Sequence, residues 1–431
     1  MHELFVALAV GGTLYFLLSR RRFDYFSLAF LSADVYFMPA FFGQVSYGAD
    51  GIWTSSTINP ETYGIMIAVM LSILCSAWIS ERVKPLFRTA LALPDLRPAG
   101  TVLLLMAVAG LTGLIATGGH AIFQPDKDVV LESIGRWDIL FYSAAAIGFP
   151  VSLASKRPVL TIAFLALLAF DLYIGFRSAV AVAVLSGLTV YLNSQPRGRL
   201  AFRHWKLGLL VIAFGIFLFG YKYVAFAVKA GSWELLTDQL TSPDTYVYMF
   251  TRSEPFVVQQ VLNEVVTHGF KTDWHMLLSS VAYQFMLFGP ELGAKAVNFN
   301  DLFQPVLFPE VEYGMASNIW AQMWSAGGWP LLILFLLLYN AFLALGNRSL
   351  AARSIVLRAG LAPIFVYWAF YIHRNDLGYA LSLEKRSLLV LLAAAAIAWL
   401  LRAATQAGRL PNAPSAHLPA SEMDSQIHSR S

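Results

Sequence analysis

YVAFAVKAGSWELLTDQLTSPDTYVYMFTRSEPFVVQQVLNEVVTHGFKTDWHMLLSSVAYQFMLFGPELGAKAVNFNDLFQPVLFPEVEYGMA, residues 223–316, is the one long polar interval in this chain. It carries ten acids (Glu234, Asp238, Asp244, Glu254, Glu264, Asp273, Glu291, Asp301, Glu310 and Glu312) against four bases (Lys229, Arg252, Lys271 and Lys295). On either side the sequence is a succession of apolar runs, about eight before it and about three after. That contrast decides the fold class: a hydrophobic frame that holds one polar insertion.

The 431 residues are 58% hydrophobic and only 13% charged, about half the charged share of an ordinary soluble domain. The apolar runs recur at lengths sufficient to cross a hydrocarbon core of about 30 Å as helices. A soluble protein lacks the polar surface to cover so many, so the sequence predicts an all-α polytopic integral membrane protein. About eleven transmembrane helices are expected, near 4–18, 25–45, 62–80, 100–117, 137–153, 159–174, 179–192, 207–226, 318–345, 361–371 and 387–401. The domain plan is then 1–222 for the N-terminal helices and 223–316 for the large loop. It continues with 317–402 for the C-terminal helices and 403–431 for a tail. That tail is rich in Pro, Ser and Ala and nearly free of large apolar residues, the composition of a disordered cytoplasmic segment. Within the loop, 275–288 is too short to cross and predicts a re-entrant or interfacial helix.

Cys75 is the single cysteine, so there is neither a disulfide framework nor a cysteine-based metal site. A net charge of +4 carried in short clusters between apolar runs is no nucleic-acid signal. No Gly-rich phosphate loop or Walker motif is present, which leaves no motif for ATP-driven transport, and there is no His-x-x-x-His pair. The first apolar run is followed by Arg20, Arg21 and Arg22 rather than preceded by basic residues, which reads as a retained helix rather than a cleaved signal.

Basic residues set the orientation. Alternate connections hold Arg20–Arg22, then Arg82, Lys84, Arg88 and Arg97, then Lys156 and Arg157, then Arg197, Arg199, Arg203 and Lys206. The series continues with Arg348, Arg353 and Arg358 and ends with Arg402 and Arg409. The positive-inside bias makes that side cytoplasmic and turns the 223–316 loop outward. Five arginines then stand on the wrong side: Arg136, Arg177, Arg252, Arg374 and Arg386. Arg177 is the most informative, because Gly175-Phe176-Arg177-Ser178 is a tight outer turn between two apolar helices. An arginine kept at the edge of hydrocarbon costs free energy unless it meets a counter-ion, either an anionic ligand or, as the plainer alternative, Asp171 one turn before it. Arg252 and Arg374 offer the same planar fork for phosphate oxygens. For proton transfer the candidates are Glu254, Glu310 and Glu312 with His268, His275 and His373. Three outer tryptophans, Trp320, Trp324 and Trp329, read as an aromatic belt.

The layout resembles the oligosaccharide repeat-unit polymerases of bacterial O-antigen and exopolysaccharide systems. The resemblance rests on Gly175-Phe176-Arg177-Ser178 between two helices. After the loop it rests on Tyr313-Gly314-Met315-Ala316-Ser317-Asn318 and on Gly327-Gly328-Trp329-Pro330-Leu331. The acid that family usually shows in the later helix is replaced here by Gln322. The resemblance implies a membrane glycosyltransferase of the bacterial inner membrane, acting at its periplasmic face without a metal or other cofactor. Its substrates are undecaprenyl-diphosphate-linked glycans, and a chain-length regulator and a repeat-unit flippase are its expected partners beside the membrane lipid. On that reading Arg177, Arg252 and Arg374 neutralise the leaving diphosphate, and Glu254 or His268 serves the acceptor hydroxyl. Glu312, Tyr313 and Asn318 join Arg177 and Arg252 in holding substrate. Competing readings are an O-antigen ligase drawing on the same lipid carrier, a transporter or flippase of lipid-linked sugars, and a structural membrane component.

The orientation is checked in a Cys75→Ala background. Asp238→Cys is expected to react with a membrane-impermeant maleimide from outside the cell and Arg353→Cys is not; the reverse pattern contradicts the outward loop.

Overall fold

In the computed structural model the described residues are 1–19, 22–49, 52–82, 98–195, 205–246, 253–285, 297–311 and 314–407. Their architecture is all-α apart from one hairpin. The N-terminal part runs α1 (His2–Leu18), α2 (Tyr25–Tyr36), β1 (Gln44–Ala49), β2 (Ile52–Thr57), α3 (Pro60–Arg82), α4 (Ala99–Gly118), α5 (Lys127–Ser133), α6 (Arg136–Ala154), α7 (Pro158–Ile174), α8 (Ser178–Ser194) and α9 (Trp205–Ala230). The polar interval contributes α10 (Trp233–Thr241), α11 (Glu254–Thr267), α12 (Trp274–Phe285) and α13 (Phe299–Leu307). The C-terminal part is α14 (Ile319–Leu350), the irregular helix α15 (Val356–Arg374) and α16 (Leu377–Ala407).

Six of the described helices, α3, α4, α6, α14, α15 and α16, are long and apolar enough to cross a membrane. α1, α7 and α8 are apolar but only 17 residues each. The expectation of eleven crossings thus reduces to an all-α chain with six candidate spans. The expected helix at 25–45 is a correction. It stops at Tyr36, gives way to a tight 3-10 turn over Met38–Phe42, and is followed by the antiparallel pair in which Gln44 faces Thr57 and Ala49 faces Ile52. Pro39 removes a backbone donor there and Gly43 turns the chain at φ 71°, so the apolar character of the run is not carried by a helix. The polar interval is itself largely helical, and the tail beyond Ala407 lies outside the described residues.

Polar side chains tie the ends and middles of the apolar helices together. Asp24 caps α2, its Oδ1 accepting from Ser27 N at 3.0 Å, while its Oδ2 accepts from Asn347 Nδ2 at 3.0 Å at the far end of α14. Deeper in the bundle, Asn340 Nδ2 donates to Ser72 Oγ at 3.1 Å and Ser32 Oγ donates to the Phe370 carbonyl at 2.7 Å. With no water to exchange against, such cross-helix bonds add to packing. α14 breaks at Gly328, whose φ of 59° and ψ of −151° only glycine adopts at ease, and Pro330 follows. α15 is built of wide, π-type turns around a short α stretch that carries Pro363 near its start; it is also the most buried candidate span, at 72%. Burial in protein is what lets an irregular helix persist there.

α4 packs closely against α6. A Cβ added at Gly110 would stand 2.5 Å from the backbone nitrogen of Phe141, so the two helices touch through glycine. Gly110→Ala must push α6 away, at a cost of about 1–3 kcal/mol. A drop in the melting temperature of purified protein relative to wild type is expected. Gly100→Ala, whose Cβ would meet Leu160 at an ordinary 3.6 Å, is the tolerated control.

Candidate functional site

At one end of the bundle three charged side chains from three separate elements converge. α7 closes on Gly175, whose φ of 118° reverses the chain and lets its N–H reach the Asp171 and Leu172 carbonyls. Two residues later Arg177 opens α8. Arg374 ends α15. Glu254 is the first helical residue of α11, followed by Pro255, a residue whose fixed φ suits a helix start. Arg177 Nη2 donates to Glu254 Oε1 at 2.5 Å, and Arg374 Nη1 donates to Glu254 Oε2 at 2.6 Å. A helix N-terminus favours the carboxylate electrostatically as well.

The three side chains remain partly open, at 22% for Arg177, 29% for Arg374 and 19% for Glu254, so a ligand can reach them. The Arg177 guanidinium is anchored from behind, and the chain that carries Arg374 is held by its neighbour. Arg177 Nη1 donates to the Leu218 carbonyl at 3.2 Å, which ties α8 to α9. Arg374 follows His373, which is fully buried, accepts from Trp320 Nε1 at 3.0 Å and stacks on Tyr36 at 5.5 Å between ring centres. Arg374 also lies over the Tyr371 ring, 5.6 Å from its centre, and Tyr36 and Tyr371 feel the charges of all three members of the cluster. Next in sequence, Asn375 Nδ2 donates to the Tyr367 hydroxyl at 2.7 Å and to the Tyr371 carbonyl at 2.8 Å.

The start of α16 is pinned beside this cluster. Gln322 Oε1 accepts from Leu377 N at 2.8 Å, and Asp376 Oδ1 accepts from Tyr379 N at 2.7 Å. Burial raises the Asp376 carboxyl above its ordinary range, while the backbone N–H groups of Tyr379 and Phe299 draw it back. Position 322, where the resemblance leads one to look for an acid, thus holds an amide that caps a neighbouring helix.

Of the residues predicted for the site, Arg177, Glu254 and Arg374 come together. Asn318 is elsewhere in function: fully buried, it caps α14 through bonds from Trp320 N at 2.9 Å and Ala321 N at 3.0 Å, and donates to the Val258 carbonyl at 3.0 Å. That fixes α14 against α11 and engages both the oxygen and the nitrogen of its side-chain amide. His268 lies just past the other end of α11, about 20 Å from Glu254 along a helix rising 1.5 Å per residue. Its ring is 59% exposed and paired with Glu264 at 3.2 Å. His275 is exposed against Trp274. Arg252, Glu312 and Tyr313 lie outside the described residues. The alternative partner for Arg177 is not used: Asp171 is fully buried and neither of its carboxylate oxygens is hydrogen-bonded.

Sequence reasoning named the arginines but missed that Glu254 bridges both. Nor did it find the supports Tyr36, Trp320 and Tyr371, which read as membrane-belt or core aromatics. Lys229 is a further case: its Nζ donates to the Ile174 carbonyl at 2.7 Å and to the Gln124 carbonyl at 3.2 Å, closing the end of α7 next to Arg177. A basic residue near a helix C-terminus is the only signal that pointed to it, and that signal became useful only once the fold brought α9 to α7.

Comparison of the chain with protein-family models, with curated proteins and with solved structures finds no match.

Proposed function

We propose that this protein is a polymerase that joins undecaprenyl-diphosphate-linked oligosaccharide repeat units at the periplasmic face of the bacterial inner membrane. The observation that carries the reading is the pairing of Arg177 and Arg374, from different helices, around one anionic position at a single end of an apolar bundle. Two guanidiniums 2.5 and 2.6 Å from one carboxylate present donors in the arrangement that the oxygens of a diphosphate require. The positive-inside reading of the sequence puts that end outward, where a lipid-linked donor displays its diphosphate.

In the transfer, the hydroxyl of the incoming unit attacks the anomeric carbon of the donor, and the bond to the lipid diphosphate breaks. Negative charge grows on the departing phosphate. Cations already held in position stabilise that charge at little reorganisation cost, and loss of one such donor typically lowers kcat by about 10²–10³. The anchoring of Arg177 on Leu218 and the locking of His373 under Arg374 supply that fixed geometry. The ligase alternative asks for a firmly placed histidine in the long loop, and the two there, His268 and His275, are exposed. That favours the polymerase.

Arg177→Ala at unchanged membrane abundance, verified by immunoblot, is expected to abolish polymer. For an O-antigen, core capped with a single repeat unit remains; for a secreted polysaccharide, the polymer is lost. Wild-type polymer from the variant would remove Arg177 from the working site.

A further inference from the structure

We propose that Glu254 is a displaceable latch on the arginine pair, and that the carboxylate freed when a diphosphate takes its place accepts the proton of the attacking hydroxyl. The inference rests on the reading of Arg177 and Arg374 as the diphosphate site.

Three observations carry it. The first is geometric: both carboxylate oxygens are engaged, one on each guanidinium, so Glu254 sits where the donor's oxygens must go. The second is an asymmetry of restraint. Arg177 is held at the start of α8 by Leu218, and Arg374 follows a histidine clamped by Trp320 and Tyr36. Glu254 is the first residue of its helix, where the backbone N–H is not committed to an intrahelical bond. The third is the neighbour: Ser253 is 2% exposed, and among the described residues its Oγ has no hydrogen-bond partner. Buried hydroxyls are rarely left so, and this one is a ready donor for a phosphate oxygen or for the displaced carboxylate.

Charge explains the exchange. The arginines bring two positive charges and Glu254 one negative, so the closed cluster keeps a net positive charge. A diphosphate offers more negative charge and more acceptor oxygens than one carboxylate, and replaces it. Engaged by two guanidiniums, the carboxylate has its lone pairs committed and makes a poor base. Released beside the anomeric carbon, it becomes available only when donor is present. The acceptor oxygen then forms its bond to the anomeric carbon, and the carbon–oxygen bond to the diphosphate breaks. That electron pair passes to the diphosphate, and the hydroxyl proton passes to Glu254. The device ties base activation to donor binding and withholds it from an empty site.

The test uses the full-length protein in lipid nanodiscs, with undecaprenyl diphosphate as the binding probe and lipid-linked repeat units as substrate. Glu254→Gln is expected to bind the probe about tenfold more tightly than wild type or better. Its kcat for elongation is expected to fall by about 10²-fold or more. Binding that is unchanged or weaker overturns the latch, and a retained kcat overturns the base. Should Glu254→Gln fail to accumulate, Glu254→Asp serves: its shorter arm cannot bridge both guanidiniums, so tighter binding with slower turnover is again expected, and wild-type binding overturns the latch. Arg177→Ala and Arg374→Ala separate the two levels. If both bind the probe as wild type does, the diphosphate reading itself fails. If they lose binding while Glu254→Gln gains none, only the latch fails.

Discussion

A carboxylate shared by two guanidiniums at the end of an apolar bundle is the interaction on which the rest of this structure depends. Each charge is costly to hold at the edge of a low-dielectric region, and each is tolerable only because the others are there. The ion pairs join residues 77 and 120 positions apart, so they also staple α11 to α8 and to the end of α15. Removing one partner from a well-buried cluster of this kind costs on the order of 3 kcal/mol, and less for groups as exposed as these. The arrangement is therefore a modest contributor to stability and a specific one to geometry.

The surrounding packing works to fix where those charges point. Gly175 closes α7 so that Arg177 emerges within two residues of the turn, and Lys229 caps the C-terminal carbonyl of Ile174 beside it. On the other side, the wide turns of α15 bring His373 under Trp320 and leave Arg374 to project from the helix end. Asn318 and Gln322, one turn apart on α14, hold α11 and α16 respectively against the same helix. Polar side chains deep in the bundle are thus spent on orientation, and the groups left partly open are the three charged ones.

Much of this was legible in the sequence, for identifiable reasons. The membrane-like composition and the single polar insertion follow from hydropathy. Arg177 and Arg374 stand out because they defy the charge bias that governs their neighbours. Glu254 is one of three acids in the insertion that the sequence offers for proton transfer, but nothing local shows that it bridges both arginines, since its partners lie far off along the chain. The hairpin at 44–57 was missed although Pro39, Gly43 and the Asp50-Gly51 pair are turn signals, because the apolar residues before them mask the change of period. Asn318 was drawn into the site by its place in a motif, whereas its environment makes it a cap. A residue type allows both uses, and only the packing around it separates them.

On the proposal made above, Arg177 and Arg374 form an anion seat that a lipid diphosphate takes over from Glu254. An experimental structure of the full-length protein with undecaprenyl diphosphate bound addresses it most directly. Phosphate oxygens are expected within hydrogen-bonding distance of both guanidiniums, with the Glu254 carboxylate turned away from them. An intact Arg177–Glu254–Arg374 cluster with the diphosphate bound elsewhere would contradict it.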